Sequence, residues 1–248
     1  LETGKVTSAV GGRGFRKSPF NRILDGHRQI GSLAKPFVYL TALEENKDLN
    51  PLSLIQDKKI SYPLAGKKTW SPENYDKKFR GEVTINYALK NSLNAATAAL
   101  GISIGIDRIV ENLHLAGIES EIPKVPSIIL GAMDLKPFEV AKAYLTLARM
   151  GSHIEPRFVE HLVFANGDTE SFPMQEPAQV FAPEAVGMVI GMMKEATRGG
   201  TAKAITASGF TVPAAGKTGT TSDYKDAWFV GFTPRNLSLI WVGYDQPQ

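Results

Sequence analysis

Gly31-Ser32-Leu33-Ala34-Lys35-Pro36-Phe37-Val38-Tyr39-Leu40-Thr41-Ala42-Leu43-Glu44-Glu45 is the stretch on which the fold turns. Its apolar residues recur with the helical period from about Ser32 to Glu45. Pro36 falls in or just after the first turn, where a missing N–H costs least, so the helix is predicted to begin close to Ser32. At a helix start residues i and i+3 share a face, so the Lys35 amine is expected within reach of the Ser32 hydroxyl.

Upstream, Leu1 to Lys5 reads as a turn feeding a short strand, Val6 to Val10, which Gly11-Gly12 ends. A polar, arginine-rich loop continues to Arg28. Downstream, residues 46–81 read as a loop rich in Lys, Pro and Gly, and helical patterns lie near 83–91, 95–101 and 105–116. A further helix spans Pro137 to Met150 with Gly151 as its C′ glycine, and another spans Pro183 to Arg198 before Gly199-Gly200. The period then changes. Phe210 to Thr220, Asp226 to Phe232 and Leu237 to Tyr244 are β-rich runs separated by turn residues such as Thr233-Pro234-Arg235-Asn236, an antiparallel meander.

Strands at both ends and helices between predict an α+β fold in which an antiparallel sheet built from both chain ends packs on a helical lobe. Residues 1–248 form one domain in this reading, with a sheet lobe of about 1–14 and 205–248 and a helical lobe of about 29–204. The cleft between the lobes is the expected site.

Composition narrows the chemistry. The chain is 43% hydrophobic and 21% charged, with no apolar stretch near the roughly 20 residues that span a bilayer. The net charge of +3 is small and Lys and Arg are spread, so nucleic acid is not the expected partner. The absence of cysteine excludes thiol catalysis and Cys-ligated metal. His27, His114, His153 and His161 lack the spacing of a zinc site, so neither metal nor cofactor is expected.

Three short motifs occur in order: Ser32-Leu33-Ala34-Lys35, Ser92-Leu93-Asn94 and Lys217-Thr218-Gly219-Thr220. Singly each is weak. Average composition predicts roughly one S-x-x-K by chance in a chain of this length, and Ser222-Asp223-Tyr224-Lys225 is a second match, in a strand-to-strand turn where its lysine does not stand one helical turn above its serine. Ser92 and Asn94 between two helices are ordinary capping types. Together, on a helix start, an inter-helix loop and a strand, the three are far more specific, and they are the set known from β-lactamases and penicillin-binding proteins.

The residue types suit acyl transfer. A serine hydroxyl needs a base, and an amine serves only if burial, a second cation or a helix N-terminus lowers its pKa. Lys35 is the candidate base for Ser32, and Lys217 the second cation. Ser92 is a candidate proton relay to a leaving amine, and Asn94 a holder of a substrate amide. Glycine inside a strand often marks close approach by a ligand, which fits Gly219. Thr218 and Thr220, two apart, are expected to face one way and bind a peptide carboxylate, with Lys217 on the other side toward Ser32 and Ser92.

The chain resembles the transpeptidase domain of the bifunctional, class A penicillin-binding proteins over nearly its whole length. Besides the motifs, the resemblance rests on Phe20-Asn21-Arg22, Trp70-Ser71-Pro72-Glu73-Asn74, Leu130-Gly131-Ala132, Pro137-Phe138-Glu139-Val140-Ala141, Arg198-Gly199-Gly200-Thr201-Ala202 and Asp226-Ala227-Trp228-Phe229. It implies an acyl-enzyme on Ser32 formed from a D-alanyl-D-alanine stem peptide of peptidoglycan, acylation of the same serine by β-lactams, and an oxyanion hole on the N–H groups of Ser32 and Thr220. It also implies a substrate-binding role for Trp70. A membrane anchor and a glycosyltransferase domain are expected before Leu1, a C-terminal helix after Gln248, and a position on the extracytoplasmic, periplasmic face of the inner membrane, with other cell-wall synthesis proteins as partners.

Rival readings differ in the fate of the acyl group. A class A β-lactamase carries Glu-x-x-Leu-Asn after the second motif, and this sequence does not. A D,D-carboxypeptidase differs only in passing the acyl group to water. A β-lactam sensor keeps the nucleophile and acylates without turnover.

Overall fold

The helix α1, Lys35–Glu45, runs through the middle of the core, with every residue from Lys35 to Leu43 buried. A helix apolar on nearly all faces must be surrounded, which is why this stretch organises the fold. The computed structural model describes residues 1–16, 18–221 and 225–245, with the side chain of Lys67 excepted. A 3₁₀ turn, Gly31–Ala34, leads into α1, so Ser32 sits in the turn and Pro36 in the helix's first turn, close to the start expected from the sequence.

Around α1 stand α2 (Ile85–Lys90), α3 (Asn94–Ile104), α4 (Ile106–Leu115), α5 (Pro137–Ala148) and α6 (Pro183–Gly199), with a single turn, α7 (Ala204–Ala207), after them. Short strands pair locally: β1 (Arg28–Gln29) with β6 (Asp134–Leu135), β2 (Leu54–Asp57) with β5 (Gly81–Thr84), and β3 (Tyr62–Pro63) with β4 (Thr69–Trp70). Likewise β7 (Ser152–His153) pairs with β10 (Ala178–Gln179), and β8 (His161–Val163) with β9 (Thr169–Ser171). The stretch 46–81, read as loop, therefore holds three strands and begins a fourth.

The main sheet is the meander β11 (Ala215–Thr220), β12 (Asp226–Phe232) and β13 (Leu237–Gly243), antiparallel throughout. Trp228, Val230 and Phe232 are buried on its inner face, while Ile240 and Val242 point outward and are exposed. That alternation is expected of a sheet packed on one side. The first strand is shorter than the sequence run from Phe210, because Pro213 lacks an N–H for a ladder.

Two expectations at the periphery are corrected. Among the described residues Val6 to Val10 form no strand, so the meander takes none from the N-terminal end. The backbone there is already engaged: Val6 N–H donates to Arg157 O and Arg157 N–H to Gly4 O, both at 2.9 Å, and a cavity of about 400 Å³ separates residues 1–9 from Leu237 and Leu239. At the end of α5 the left-handed C′ residue is Met150 (φ +57°), with Gly151 one further on. Met150 N–H bonds Leu147 O and Gly151 N–H bonds Thr146 O, the paired bonds of a Schellman end. The second S-x-x-K match lies at Ser222 to Lys225, of which 222–224 fall outside the described residues.

Candidate active site

Backbone packing fixes where Ser32 sits. Gly31 has φ +52°, its N–H donates to Gly131 O at 3.1 Å, and a Cβ there would stand 2.7 Å from Thr220 O. A Cβ on Gly131 would fall 1.9 Å from Gly31 O, and one on Gly219 would fall 2.7 Å from Ile30 O. Three glycines thus let the turn holding Ser32 press against β11 on one side and the 126–131 turn on the other. Gly219 is accordingly required by the chain's own backbone, a reason for glycine separate from the close ligand approach expected from the sequence. On the far side, the buried Tyr144 of α5 donates its hydroxyl to Leu33 O at 2.9 Å.

The three motifs converge. Lys35 and Lys217 are both fully buried. Lys35 Nζ donates to Ser92 O and Asn94 Oδ1, each at 2.6 Å, and stands 3.2 Å from Ser92 Oγ. Lys217 Nζ donates to the same Ser92 Oγ at 3.0 Å and to Thr218 O at 2.9 Å. Ser92 Oγ therefore bridges the two amines. No described residue hydrogen-bonds the half-buried Ser32 hydroxyl, and the bonds of the Lys35 amine go to Ser92 and Asn94.

Electrostatics follow from this burial. Both lysines lose their water, and every oxygen that accepts from them is uncharged. Burial first, and then the positive charge of Lys217, hold the Lys35 amine well below its ordinary value. Burial alone pulls Lys217 down to about 7. A neutral Lys35 has two N–H groups, which suit the two acceptor-only oxygens at 2.6 Å. Its lone pair is then left toward hydroxyl protons, those of Ser92 and of an approaching Ser32.

Local structure explains why Ser92 is in place. It is the C′ residue of α2, with φ +54°. Ser92 N–H donates to Leu89 O and Leu93 N–H to Ala88 O, so a serine occupies the position where a Schellman end ordinarily takes glycine. The left-handed turn aims Oγ inward between the lysines.

Asn94 opens α3. Its Oδ1 is taken by Lys35 and one Nδ2 hydrogen by Glu73 O at 2.8 Å, leaving one amide hydrogen for another acceptor. Along β11, an edge strand, Lys217 and Gly219 are buried, Thr218 is half-buried and Thr220 exposed. Thr218 Oγ1 donates to Thr201 Oγ1 at 3.2 Å. In the first turn after Ile30, the Ser32 N–H has no intrahelical partner. Trp70 lies half-buried on β4, and no hydrogen bond joins it to the cluster.

Sequence reasoning missed several supporting residues. Asp57 and Tyr144 bear on the cluster only through tertiary contacts, and Thr201, which accepts from Thr218 Oγ1, stands in a segment on which the family resemblance rests without being singled out. Asn74 carried a faint signal, since it ends a segment on which the family resemblance rests.

Comparisons with known proteins match the chain over its whole length. The family described as the penicillin binding protein transpeptidase domain matches residues 1–248. The chain is 36% identical over 247 residues to penicillin-binding protein 1B of Vibrio cholerae, covering 99% of this chain and 32% of that protein. It is 35% identical over 246 residues to penicillin-binding protein 1A of Aquifex aeolicus, covering 99% and 33%. The chain thus spans about a third of the length of these curated relatives. Among solved structures, penicillin-binding protein 1A from Haemophilus influenzae superposes with a TM-score of 0.88 at 27% identity, covering 96% of this chain and 41% of that one. PonA1 from Mycobacterium tuberculosis in complex with penicillin V superposes at 0.76 with 27% identity, covering 92% and 64%. With helices packed on an antiparallel sheet and three serine and lysine motifs gathered at their junction, the chain belongs to the penicillin-binding protein transpeptidase domain family.

Proposed function

We propose that the domain cross-links peptidoglycan stem peptides by acyl transfer through Ser32. The observation that carries this is the bridge Lys35–Ser92–Lys217, in which one hydroxyl joins two buried amines at 3.2 and 3.0 Å. The neutral Lys35 takes the Ser32 proton as Oγ attacks the carbonyl of the penultimate D-alanine. The tetrahedral oxyanion is met by the N–H groups of Ser32 and Thr220, a kind of stabilisation worth about 10² to 10³ in rate per donor. The C–N bond then breaks, and the proton passes through Ser92 to the amine of the departing D-alanine. An acceptor amine on a neighbouring stem peptide attacks the acyl-enzyme, forms the new amide, and returns the Ser32 proton by the same route. That the Ser32 hydroxyl is unbonded in the free site accords with this, since catalytic hydrogen bonds often tighten only when substrate is bound.

The donor peptide lies along the open edge of β11 as an added strand, its carboxylate toward Thr218 and Thr220, its amide held by the remaining Asn94 hydrogen, and Trp70 lining its approach. β-Lactams acylate the same serine. Among the described residues no helix is long and apolar enough to cross a membrane. We infer a membrane anchor and a glycosyltransferase domain elsewhere in a longer protein, an extracytoplasmic position and contacts with other cell-wall synthesis proteins, a reading supported by the greater length of the relatives.

Intact mass measurement after incubation with benzylpenicillin, combined with peptide mapping, tests the reading. A stable adduct on Ser32, absent in Ser32→Ala, is expected, together with release of D-alanine from a stem peptide when an amine acceptor is present. Labelling that tracks Ser222 overturns the nucleophile. Rapid loss of the adduct points to a hydrolase. Stable acylation with no peptide turnover points to a sensor.

A further inference from the structure

Behind the reacting cluster runs a second set of buried polar groups. Asp57, the last residue of β2, is completely buried, and its two carboxylate oxygens accept from Asn74 Nδ2 at 2.8 and 3.0 Å. Oδ2 also accepts from Arg80 N–H at 3.0 Å, with the Arg80 guanidinium 3.7 Å away. Asn74 is itself buried and spends every polar atom. Its second Nδ2 hydrogen goes to Lys78 O at 2.8 Å, and its Oδ1 accepts from the N–H groups of Asn94 and Ala95 at 2.7 and 3.1 Å.

A carboxamide has a donor end and an acceptor end of nearly the same shape, so something must decide which way it points. For Asn74 the decision is forced. Carboxylate and carbonyl oxygens only accept, so Nδ2 faces Asp57 and Lys78 while Oδ1 faces the start of α3. That helix has no side-chain cap of its own, and Asn74 supplies the cap from across the loop. The same logic passes to Asn94: the Glu73 carbonyl, one residue before Asn74, draws Nδ2 at 2.8 Å and so turns Oδ1 toward Lys35 Nζ at 2.6 Å.

We infer that Asp57 and Asn74 are positioning residues, which lock the Asn94 carboxamide with its oxygen toward Lys35 and thereby hold the amine at Ser92. This rests on the acyl-transfer reading above. The lock has a clear purpose. With the carboxamide reversed, an N–H would face the amine, and Lys35 would lose one of its two acceptors and swing away from the bridge. A misplacement of about 1 Å by residues remote from the chemistry costs about 10² in rate.

The test is the rate of acylation by a fluorescent penicillin at saturating concentration, measured for the purified protein and its variants alongside thermal melts. Asn74→Ala is expected to slow acylation about 10²-fold and Asp57→Asn, which keeps the size and removes the charge, about tenfold. Asn94→Ala is also slow, and adding Asn74→Ala to it costs less than about twofold more, since residues acting through one another are not additive. Val110→Ala, in α4, which carries none of these residues, lowers the melting temperature without slowing acylation. The inference is overturned if Asn74→Ala acylates within about threefold of the unaltered protein, or if its full loss recurs in the Asn94→Ala background. It is equally overturned if Val110→Ala slows acylation as much for the same drop in melting temperature. An unaltered protein that forms no adduct overturns the acyl-transfer reading itself, and this inference with it.

Discussion

Lys217 Nζ donates to Ser92 Oγ at 3.0 Å, joining residues 125 positions apart, and among the described residues no carboxylate is paired with Lys217 or with Lys35. The pairing brings a second buried amine next to the one on Lys35, and burial of two amines without a counter-ion destabilises their charged forms. The folded state therefore holds these protons less tightly than the unfolded chain does.

Stability should rise with pH above neutrality. Lys217 has its ordinary value of 10.5 when unfolded and about 7 when folded, so between the two the unfolded chain binds the extra proton and stability climbs as pH increases. Lys35 is shifted in the same direction and adds to the slope. Melting temperatures recorded from about pH 7 to about pH 9.5 should increase. Lys217→Met should melt higher at neutral pH and show a flatter profile. A profile in which the two proteins run parallel would mean that Lys217 keeps its ordinary value.

Ser92 separates backbone strain from chemistry. A residue other than glycine in the left-handed region costs ~1 kcal/mol or more, so Ser92→Gly should be the more stable of two variants that both lack the hydroxyl. Ser92→Ala keeps the strain, and should melt about 2 to 4 °C below Ser92→Gly. Both should slow acyl transfer about 10² to 10⁴-fold, the ordinary range for loss of a proton-transfer group. A Ser92→Gly protein that melts lower than Ser92→Ala would show that the turn is not strained.

How far the sequence discloses this arrangement depends on the range of each interaction. The position of Ser32 at the entry to α1, the interior helices and the three-stranded meander follow from local periodicity and from Pro36 and the turn at Thr233 to Asn236. The joint appearance of three motifs makes the site legible, because the chemistry demands those residue types however far apart along the chain the three motifs fall. Val6 to Val10 reads as a strand because its composition permits one. Its partner is Arg157, and nothing near Val6 could reveal that. Gly219 is glycine for a neighbour 189 residues away, Ile30, a close approach that sequence spacing does not carry. Asp57 is silent for the same reason, and Asn74 shows only as the end of a matched segment: a buried carboxylate and carboxamide look like ordinary loop residues until folding brings them to α3.

Gly131→Ala should be among the most damaging single changes. Its Cβ would fall 1.9 Å from Gly31 O in a left-handed turn with φ +82°, against backbone that cannot rotate aside. The loss should exceed about 2 kcal/mol, and labelling by fluorescent penicillin should fall with it because the Ser32 turn is the part displaced. Gly167→Ala supplies the comparison, with a similar φ of +88° and nothing within 4 Å of the added methyl. That variant should lose only the conformational cost of about 1 kcal/mol and keep normal labelling. Equal damage from both would assign the effect to φ alone.

Tyr144→Phe tests whether the nucleophile's turn is held from behind. The Tyr144 hydroxyl donates to Leu33 O at 2.9 Å, and the ring packs edge-on against Phe37 with centroids 5.3 Å apart. Phenylalanine keeps the ring contact and removes the donor, leaving a buried carbonyl beside Ser32 without that bond, at a cost of about 1 to 3 kcal/mol. Burial holds the Tyr144 phenol well above its ordinary value, so it remains a donor across the whole working range. The deficit in acylation rate should therefore be the same at about pH 6.5 as at about pH 9, whereas variants of Lys35 or Lys217 should change the shape of the profile. If Tyr144→Phe alters that shape, the hydroxyl acts on the proton pathway itself and its part is more than holding the turn in place.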